Sequence, residues 1–123
     1  MAQLAIKTRN SVLDESPAID RDHLSSMTFG DRGLERELLE LFDRQASMLV
    51  VRMRAGGAAA VAPLAHTLRG SASGVGAGRV ERAAQAAELA ANSPAHECDR
   101  AVDRLAQAVN EARTLIAELL RAH

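Results

Sequence analysis

The sequence predicts an all-α fold, an antiparallel up-down four-helix bundle with a short additional N-terminal helix. Hydrophobic residues make up 47% of the chain but aromatic residues only 2%, so the core must be built from aliphatic side chains. Such a core favours packed helices over a sheet. Apolar residues also recur at helical spacing in successive stretches, and clusters of glycine and proline separate these stretches.

The chain has 123 residues, enough for one domain with a single core. Residues 1–16 lack periodicity, and we expect a flexible N-terminal tail with an extended strip at residues 11–13 against the bundle. Residues 17–123 should form the helical domain. The sequence contains no apolar run as long as a signal peptide or a membrane span, and the single cysteine, Cys98, suits a reducing compartment. We therefore expect a cytoplasmic protein that does not bind membranes.

The first structured element should be a short helix. Asp20 is its expected N-cap, and Ile19, Leu24 and Met27 are its expected apolar side, up to a turn at Phe29-Gly30. A helix this short does not form alone, so it must pack on the bundle.

A long helix should follow, with Asp31 as its cap. Gln45 projects from the centre of its apolar stripe, where an unpaired buried amide would be costly, so it needs a partner. Either it bonds another side chain or it meets water or backbone at the helix surface. The stripe consists of Leu34, Leu38, Leu41, Phe42, Met48 and Leu49.

The stretch from Val61 to Ala77 carries the most specific pattern in the chain. In a helix with about 100° per residue, its apolar residues share an arc of about 80° and a polar set lies opposite. Gly70 costs about 1 kcal/mol of helix stability relative to alanine, which makes sense if a large partner must approach His66 one turn away. The apolar arc is Val61, Leu64, Leu68, Ala72 and Val75, and the opposite side is His66, Arg69, Gly70 and Ser73.

Glycine and proline define the ends of this helix. Gly56-Gly57 predicts a reversal before it, and the glycine-rich run at 74–78 predicts a tight turn after it. Pro63 is tolerated without a kink only in a first helical turn. The helix therefore either begins near Ala60 or bends at the proline.

Two more helices should complete the bundle. Ser93-Pro94 supplies an N-cap and a first-turn proline for a last helix from about Ala95 to Arg121. Cys98 lies on its apolar side and is interpreted as a small core residue. The apolar faces are Val80, Ala83, Ala84, Ala87 and Ala91 in the first of these helices, and Cys98, Val102, Leu105, Val109, Ala112, Ile116 and Leu119 in the second.

Several functions are disfavoured by the composition and the spacing. A net charge of −1 and the absence of Trp and Tyr give neither a basic surface nor a stacking platform for nucleic acid. No metal-ligand spacing is found, so no metal or cofactor is expected, and His23, His96 and His123 are interpreted as solvated surface residues. Ser71 and Ser73 lack the strained elbow and the base of a hydrolase, and the glycine-rich run after them lacks the strand and Gly-Lys-Ser/Thr of a nucleotide-binding loop.

The segment AHTLRGSASGVG resembles the signature of the histidine-containing phosphotransfer (HPt) domains of two-component phosphorelays, roughly A-H-x-L-K-G-S-[SA]-x-x-x-G. Arg69 stands where the family usually has lysine, which keeps the charge but replaces an ammonium with a planar fork of donors. Phe42 with Gln45 is similar to a pair in some HPt proteins whose glutamine hydrogen-bonds the active histidine. The matching positions of the signature are Ala65, His66, Leu68, Gly70, Ser71, Ala72 and Gly76.

The resemblance implies that His66 is phosphorylated by the aspartyl phosphate of a receiver domain and passes the group reversibly to another receiver. Arg69 would neutralise the phosphoryl oxygens, Gly70 would permit approach, and Gln45 or Ser73 would orient the ring or touch the phosphate. The receiver would supply Mg²⁺. We expect a monomeric carrier without kinase or ATPase activity, whose partners are response-regulator receiver domains and a hybrid sensor histidine kinase.

A second interpretation remains open, in which the protein is a non-catalytic helical adaptor or dimerisation module. Its alanine-rich second half would then pack against another copy. Acid-labile phosphate on the protein after incubation with a phosphorylated receiver domain would distinguish the two interpretations.

Overall fold

The computed structural model describes residues 16–122, which form an all-α bundle. The long helices pack in a ring as an antiparallel up-down four-helix bundle, and the short first helix lies against the third, so the predicted fold class is confirmed. The predicted strip at residues 11–13 and His123 lie outside the described residues. The helices of residues 16–122 are α1 (Arg21–Met27), α2 (Arg32–Gly56), α3 (Ala58–Val75), α4 (Gly78–Ala90) and α5 (Ala95–Ala122).

Aspartate side chains cap the first two helices, as predicted. Asp20 accepts a hydrogen bond from the amide of His23 at 3.1 Å, and Asp31 accepts one from the amide of Leu34 at 3.0 Å. Each cap satisfies one of the amides that a helix start leaves without an intrahelical acceptor. Between the helices, residues 29–30 both have positive φ angles, 56° and 75°, and reverse the chain.

The buried side of α1 differs from the prediction at one residue. Ile19 and Leu24 are buried, but Met27 is 51% exposed. Thr28 takes the buried position one turn after Leu24, and its hydroxyl donates to the Leu24 carbonyl at 3.0 Å. Because that bond satisfies the hydroxyl, a polar residue occupies the place that the apolar pattern assigned to methionine.

The buried face of α2 also differs from the predicted stripe. Leu34, Leu41 and Met48 are exposed, whereas Phe42 and Leu49 are buried as predicted. Apolar residues occur on nearly every side of α2, so the spacing alone could not identify which of two overlapping stripes meets the core. The buried residues of α2 are Leu39, Phe42, Ala46, Leu49, Val50 and Met53.

A single residue connects α2 to α3. Gly57 has a φ of 72° and reverses the chain, and α3 begins at Ala58. The helix therefore starts before Ala60 and holds Pro63 in its second turn, later than the predicted first-turn position. Gly56 is required by close approach, because a Cβ there would lie 2.5 Å from the Cβ of Ala60.

The other end of α3 is closed by a glycine cap that also holds α1. Gly76 has a φ of 77°, its amide donates to the Ser73 carbonyl at 3.3 Å, and the amide of Ala77 donates to the Ala72 carbonyl at 2.9 Å. These two bonds form a Schellman motif, as the glycine-rich run predicted. The amide of Asp20 donates to the Gly76 carbonyl at 2.8 Å, which anchors the start of α1 on this turn.

His23 is exposed, but it is not simply solvated. Its Nε2 lies 3.0 Å from the Ser73 carbonyl of α3. A carbonyl only accepts hydrogen bonds, so Nε2 is the donor. His23 is a surface residue as interpreted, but its bond to Ser73 was not predicted, because the sequence does not reveal that α1 crosses the end of α3.

The apolar faces of α4 and α5 are buried as predicted. Ala83, Ala91 and Leu119 are half-buried, and Cys98 is buried in the core. Pro94 stands just before α5 instead of in its first turn, and its carbonyl accepts hydrogen bonds from the amides of Glu97 and Cys98. The buried residues are Val80, Ala84 and Ala87 in α4, and Cys98, Val102, Leu105, Val109, Ala112 and Ile116 in α5.

The glycine cap of α3 generates a stability prediction. Gly76→Ala should lower the free energy of unfolding by about 1–3 kcal/mol, because alanine is strained at positive φ and its Cβ would lie 2.8 Å from the Asp20 carbonyl oxygen. Urea unfolding followed by circular dichroism measures this. The matched control is Gly74→Ala, whose Cβ would meet no atom of residues 16–122 within 4 Å and which should be neutral or stabilising. Equal stability of the two variants would contradict the assigned role of Gly76.

Candidate functional site

The exposed side of α3 carries the residues that the sequence predicted for it. The side chain of His66 is 62% exposed, and Gly70 and Ser73 are also exposed. Arg69 is half-buried. The opposite side of α3 is buried at Val61, Ala65, Leu68, Ala72 and Val75, and half-buried at Leu64.

The neighbour of the His66 ring comes from α4. The Nδ1 atom of His66 lies 3.0 Å from Oε2 of Glu88. Within residues 16–122, the other ring nitrogen, Nε2, makes no hydrogen bond. One nitrogen of the imidazole is therefore held by the protein while the other is open to a partner.

Arg69 completes a three-residue cluster one turn after His66. Its Nη2 lies 3.2 Å from Nδ1 of His66, and its Nε lies 3.7 Å from Oε1 of Glu88. The cluster thus places a cation and an anion on the same side of the imidazole.

Glu88 is the most enclosed member of this cluster. Its side chain is 27% exposed, and its Oε1 is buried without a hydrogen-bond partner among residues 16–122. The 3.7 Å distance to Arg69 Nε is too long for a hydrogen bond. Glu88 and Arg69 therefore form only a loose ion pair. This arrangement is unfavourable for Glu88, because it leaves a buried acceptor without a donor.

Glu88 was not predicted as a site residue, although the chain contains a signal for it. The two-residue turn at residues 76–77 makes α3 and α4 antiparallel neighbours. His66 is ten residues before this turn and Glu88 is eleven residues after it, so an antiparallel pair brings them to about the same height. The alanines on the inner face of α4 allow the two helices to pack closely, since helix separation follows side-chain size.

The two predicted supporting residues make no hydrogen bond to the imidazole of His66 within residues 16–122. Gln45 is half-buried on α2 and makes no hydrogen bond to His66 in the described part of the chain. Ser73 lies seven residues beyond His66, about 10 Å away along the helix. The hydrogen bond to the ring that the resemblance implied for Gln45 is made by Glu88.

An exposed line of apolar side chains runs along α2. Leu34, Leu41 and Met48 recur every seven residues and are exposed, and Arg44 and Arg52 flank them. We call these five residues the α2 strip. Seven-residue spacing is close to two helical turns, so the apolar members form one line along the helix.

The position of the α2 strip follows from helix geometry. Asp43 of α2 faces α5, because it accepts a hydrogen bond from Arg113 at 2.8 Å. Met48 is five residues later, which at about 100° per residue turns it about 140° from Asp43 and so away from α5. Met48 and His66 are each nine residues from the turn at Gly57, so they lie at about the same height.

The shape of this surface favours a large partner over a small ligand. Clefts of about 240 and 400 Å³ lie elsewhere, and His66 lines neither of them. Small ligands usually bind in concave pockets. In residues 16–122 no group of His, Cys, Asp or Glu side chains is arranged to hold a metal ion. No helix of the described chain is long and apolar enough to cross a membrane.

Comparison with known proteins gives two findings. The family model described as "Hpt domain" matches residues 34–121. The crystal structure of histidine-containing phosphotransfer protein B (HptB) from Pseudomonas aeruginosa PAO1 has the same fold, with a TM-score of 0.76 at 18% sequence identity, over 89% of this chain and 99% of that one. No curated protein matches the sequence.

The exposed side of α3 generates a prediction for Gly70. A Cβ at this position would meet no described atom within 4 Å, so Gly70→Ala should leave the fold intact and raise the free energy of unfolding by up to about 1 kcal/mol through helix propensity. Urea unfolding measures this. A loss of stability would mean that the fold, and not the access to His66, requires this glycine.

Proposed function

We propose a function from the premise that this chain belongs to the Hpt domain family. Hpt domains are phosphotransfer modules of phosphorelays and act as carriers, not kinases. In our proposal, His66 accepts a phosphoryl group from the aspartyl phosphate of one receiver domain and passes it reversibly to the aspartate of another. The observation that carries this assignment is the exposed imidazole whose Nδ1 is 3.0 Å from Glu88 while its Nε2 is open.

The geometry supports Nε2 as the attacking atom. A proton on Nδ1 that is donated to Glu88 leaves the ring lone pair on Nε2. This lone pair forms the bond to phosphorus while the bond from phosphorus to the aspartate oxygen breaks, and the aspartate leaves as a carboxylate. The ring keeps its Nδ1 proton and becomes positively charged, and the carboxylate of Glu88 stabilises that charge. Transfer onward reverses these steps and releases a neutral imidazole.

Arg69 is the cation that would meet the phosphoryl oxygens. It lies one turn from His66 and its side chain is 34% exposed, so its guanidinium can reach a group bound to Nε2. Phosphoryl transfer depends mainly on positioning and on neutralising oxygen charge. The receiver domain would hold the Mg²⁺, so this chain would need no cofactor of its own.

The surface around His66 suits a receiver domain. The α2 strip offers exposed apolar side chains for packing, and Arg44, Arg52 and Arg69 present positive charge toward the acidic pocket that a receiver uses for its aspartate and Mg²⁺. Gly70 keeps the approach to His66 clear. We further propose a cytoplasmic monomer that exchanges phosphate with receiver domains and with a hybrid sensor histidine kinase.

The adaptor interpretation has less support. It required the alanine-rich second half to pack against another copy. Ala84, Ala87 and Ala112 are fully buried inside the bundle, so these side chains are unavailable to a second chain.

The proposed function predicts that His66→Gln abolishes phosphoryl acceptance. The fold should persist, because an exposed residue contributes little to packing. A phosphorylated receiver domain is incubated with each protein, and the acid-labile, base-stable phosphate on the chain is measured together with the circular-dichroism melting curve. The matched control is His96→Gln, also exposed, which should label like the wild type. Labelling that survives in His66→Gln would refute the assignment.

The α2 strip predicts a second effect on transfer. Met48→Glu should raise the half-saturating concentration of the receiver by about tenfold, equivalent to about 1.4 kcal/mol of binding, because it removes apolar contact and repels an acidic partner. The maximal rate should change little. Stopped-flow transfer measures both parameters. Met27→Glu is the control at a similarly exposed methionine on α1, and equal effects of the two substitutions would eliminate the α2 strip as the docking surface.

A further inference from the structure

A hydrogen-bond acceptor and a hydrogen-bond donor both lie within hydrogen-bond distance of Nδ1 of His66. Oε2 of Glu88 is 3.0 Å from Nδ1 of His66, and Nη2 of Arg69 is 3.2 Å from the same atom. A carboxylate only accepts and a guanidinium only donates. The nitrogen of a neutral imidazole carries either a proton or a lone pair, so it satisfies one neighbour at a time.

The choice between these neighbours determines the chemistry of the other nitrogen. When Nδ1 donates to Glu88, the lone pair is on Nε2 and can attack phosphorus. When Nδ1 accepts from Arg69, the proton is on Nε2, which then has no lone pair for attack. The two tautomers of His66 are therefore a reactive and an unreactive form of the site.

We infer that Arg69 and Glu88 compete for Nδ1 of His66, and that Arg69 thereby restrains the nucleophile until an anionic partner draws the guanidinium away. The biological meaning of this competition rests on the proposed function. Arg69 would then act at two stages, first at Nδ1 in the free protein and later at the phosphoryl oxygens. In the first role it is a positioning residue, since it acts through the ring.

The loose ion pair supports this competition. Arg69 Nε is 3.7 Å from Oε1 of Glu88, and that buried oxygen has no hydrogen-bond partner in the part of the chain that the structure describes. An arginine locked onto a carboxylate would instead form two parallel bonds of about 2.8 Å. The guanidinium is turned toward the ring, and moving it off Nδ1 would let it satisfy Oε1 while Nδ1 donates to Oε2.

The exposure of the cluster makes the competition accessible to a partner. Side-chain exposure is 34% for Arg69 and 27% for Glu88. An anion that approaches Nε2 attracts the partly exposed guanidinium of Arg69, and this attraction removes the donor that competes with Glu88. The approach of a phosphoryl group would thus favour the reactive tautomer at the moment it is needed.

The tautomers can be measured directly by ¹⁵N NMR of the imidazole nitrogens at a pH where the ring is neutral. Arg69→Met removes the donor and should shift the tautomer ratio toward protonated Nδ1 by about tenfold, the effect of losing a hydrogen bond to a charged group. Glu88→Met removes the acceptor and should shift the ratio in the opposite direction by a similar factor. Arg69→Leu replaces Arg69→Met if that variant fails to fold.

The reactivity of Nε2 provides a second readout that involves no phosphate. Diethyl pyrocarbonate is a neutral electrophile, so its rate of attack by His66 does not depend on a cation that binds anions. Peptide mass spectrometry should record faster modification of His66 in Arg69→Met and slower modification in Glu88→Met, with exposed His96 as the internal control.

These outcomes separate the inference from the proposed function. Unchanged tautomer ratios in Arg69→Met, or shifts of the same sign in both variants, would overturn the competition. Neither readout uses a receiver domain or a phosphoryl group. Phosphoryl labelling that persists in His66→Gln would overturn the proposed function and leave the competition at Nδ1 standing.

Discussion

The contact between Nδ1 of His66 and Oε2 of Glu88 is the interaction on which the site depends, and it exists only because α3 and α4 pack closely. The alanines on the inner face of α4 permit this packing, and the turn at Gly76 aligns the two helices in height. The core of the bundle thus influences the chemistry of His66 indirectly. It does not touch the imidazole, but it brings a carboxylate from a second helix to one of its nitrogens.

The two neighbours of Nδ1 of His66 come from different parts of the sequence. Arg69 is local to His66 and arrives by helical spacing, whereas Glu88 is 22 residues away and arrives by tertiary packing. A cation one turn away accompanies the histidine wherever the helix forms. The carboxylate of Glu88 reaches the ring only when the bundle has assembled. An unfolded or misassembled chain would therefore carry His66 without Glu88 beside it.

Much of the fold could be predicted from the sequence, because its signals are local. Asp20 and Asp31 cap helices through bonds three residues away, and the arc of α3 with His66 opposite it follows from helical spacing. The failures came where several packings satisfy one pattern. The exposed and the buried leucines of α2 both fit helical periodicity, so the pattern does not identify which of them face the core. The contacts of Glu88 and His23 depend on the relative positions of helices, which periodicity does not reveal.

The short connections of α3 limit how far a change at His66 could move the rest of the protein. One residue, Gly57, joins it to α2, and two residues join it to α4, so neither end has slack to absorb a sliding or rotating helix. A helix held by such short connections transmits little displacement to the other helices. A charge added at His66 would therefore be read by other proteins as a local change in surface potential, and the rest of the molecule would look the same before and after.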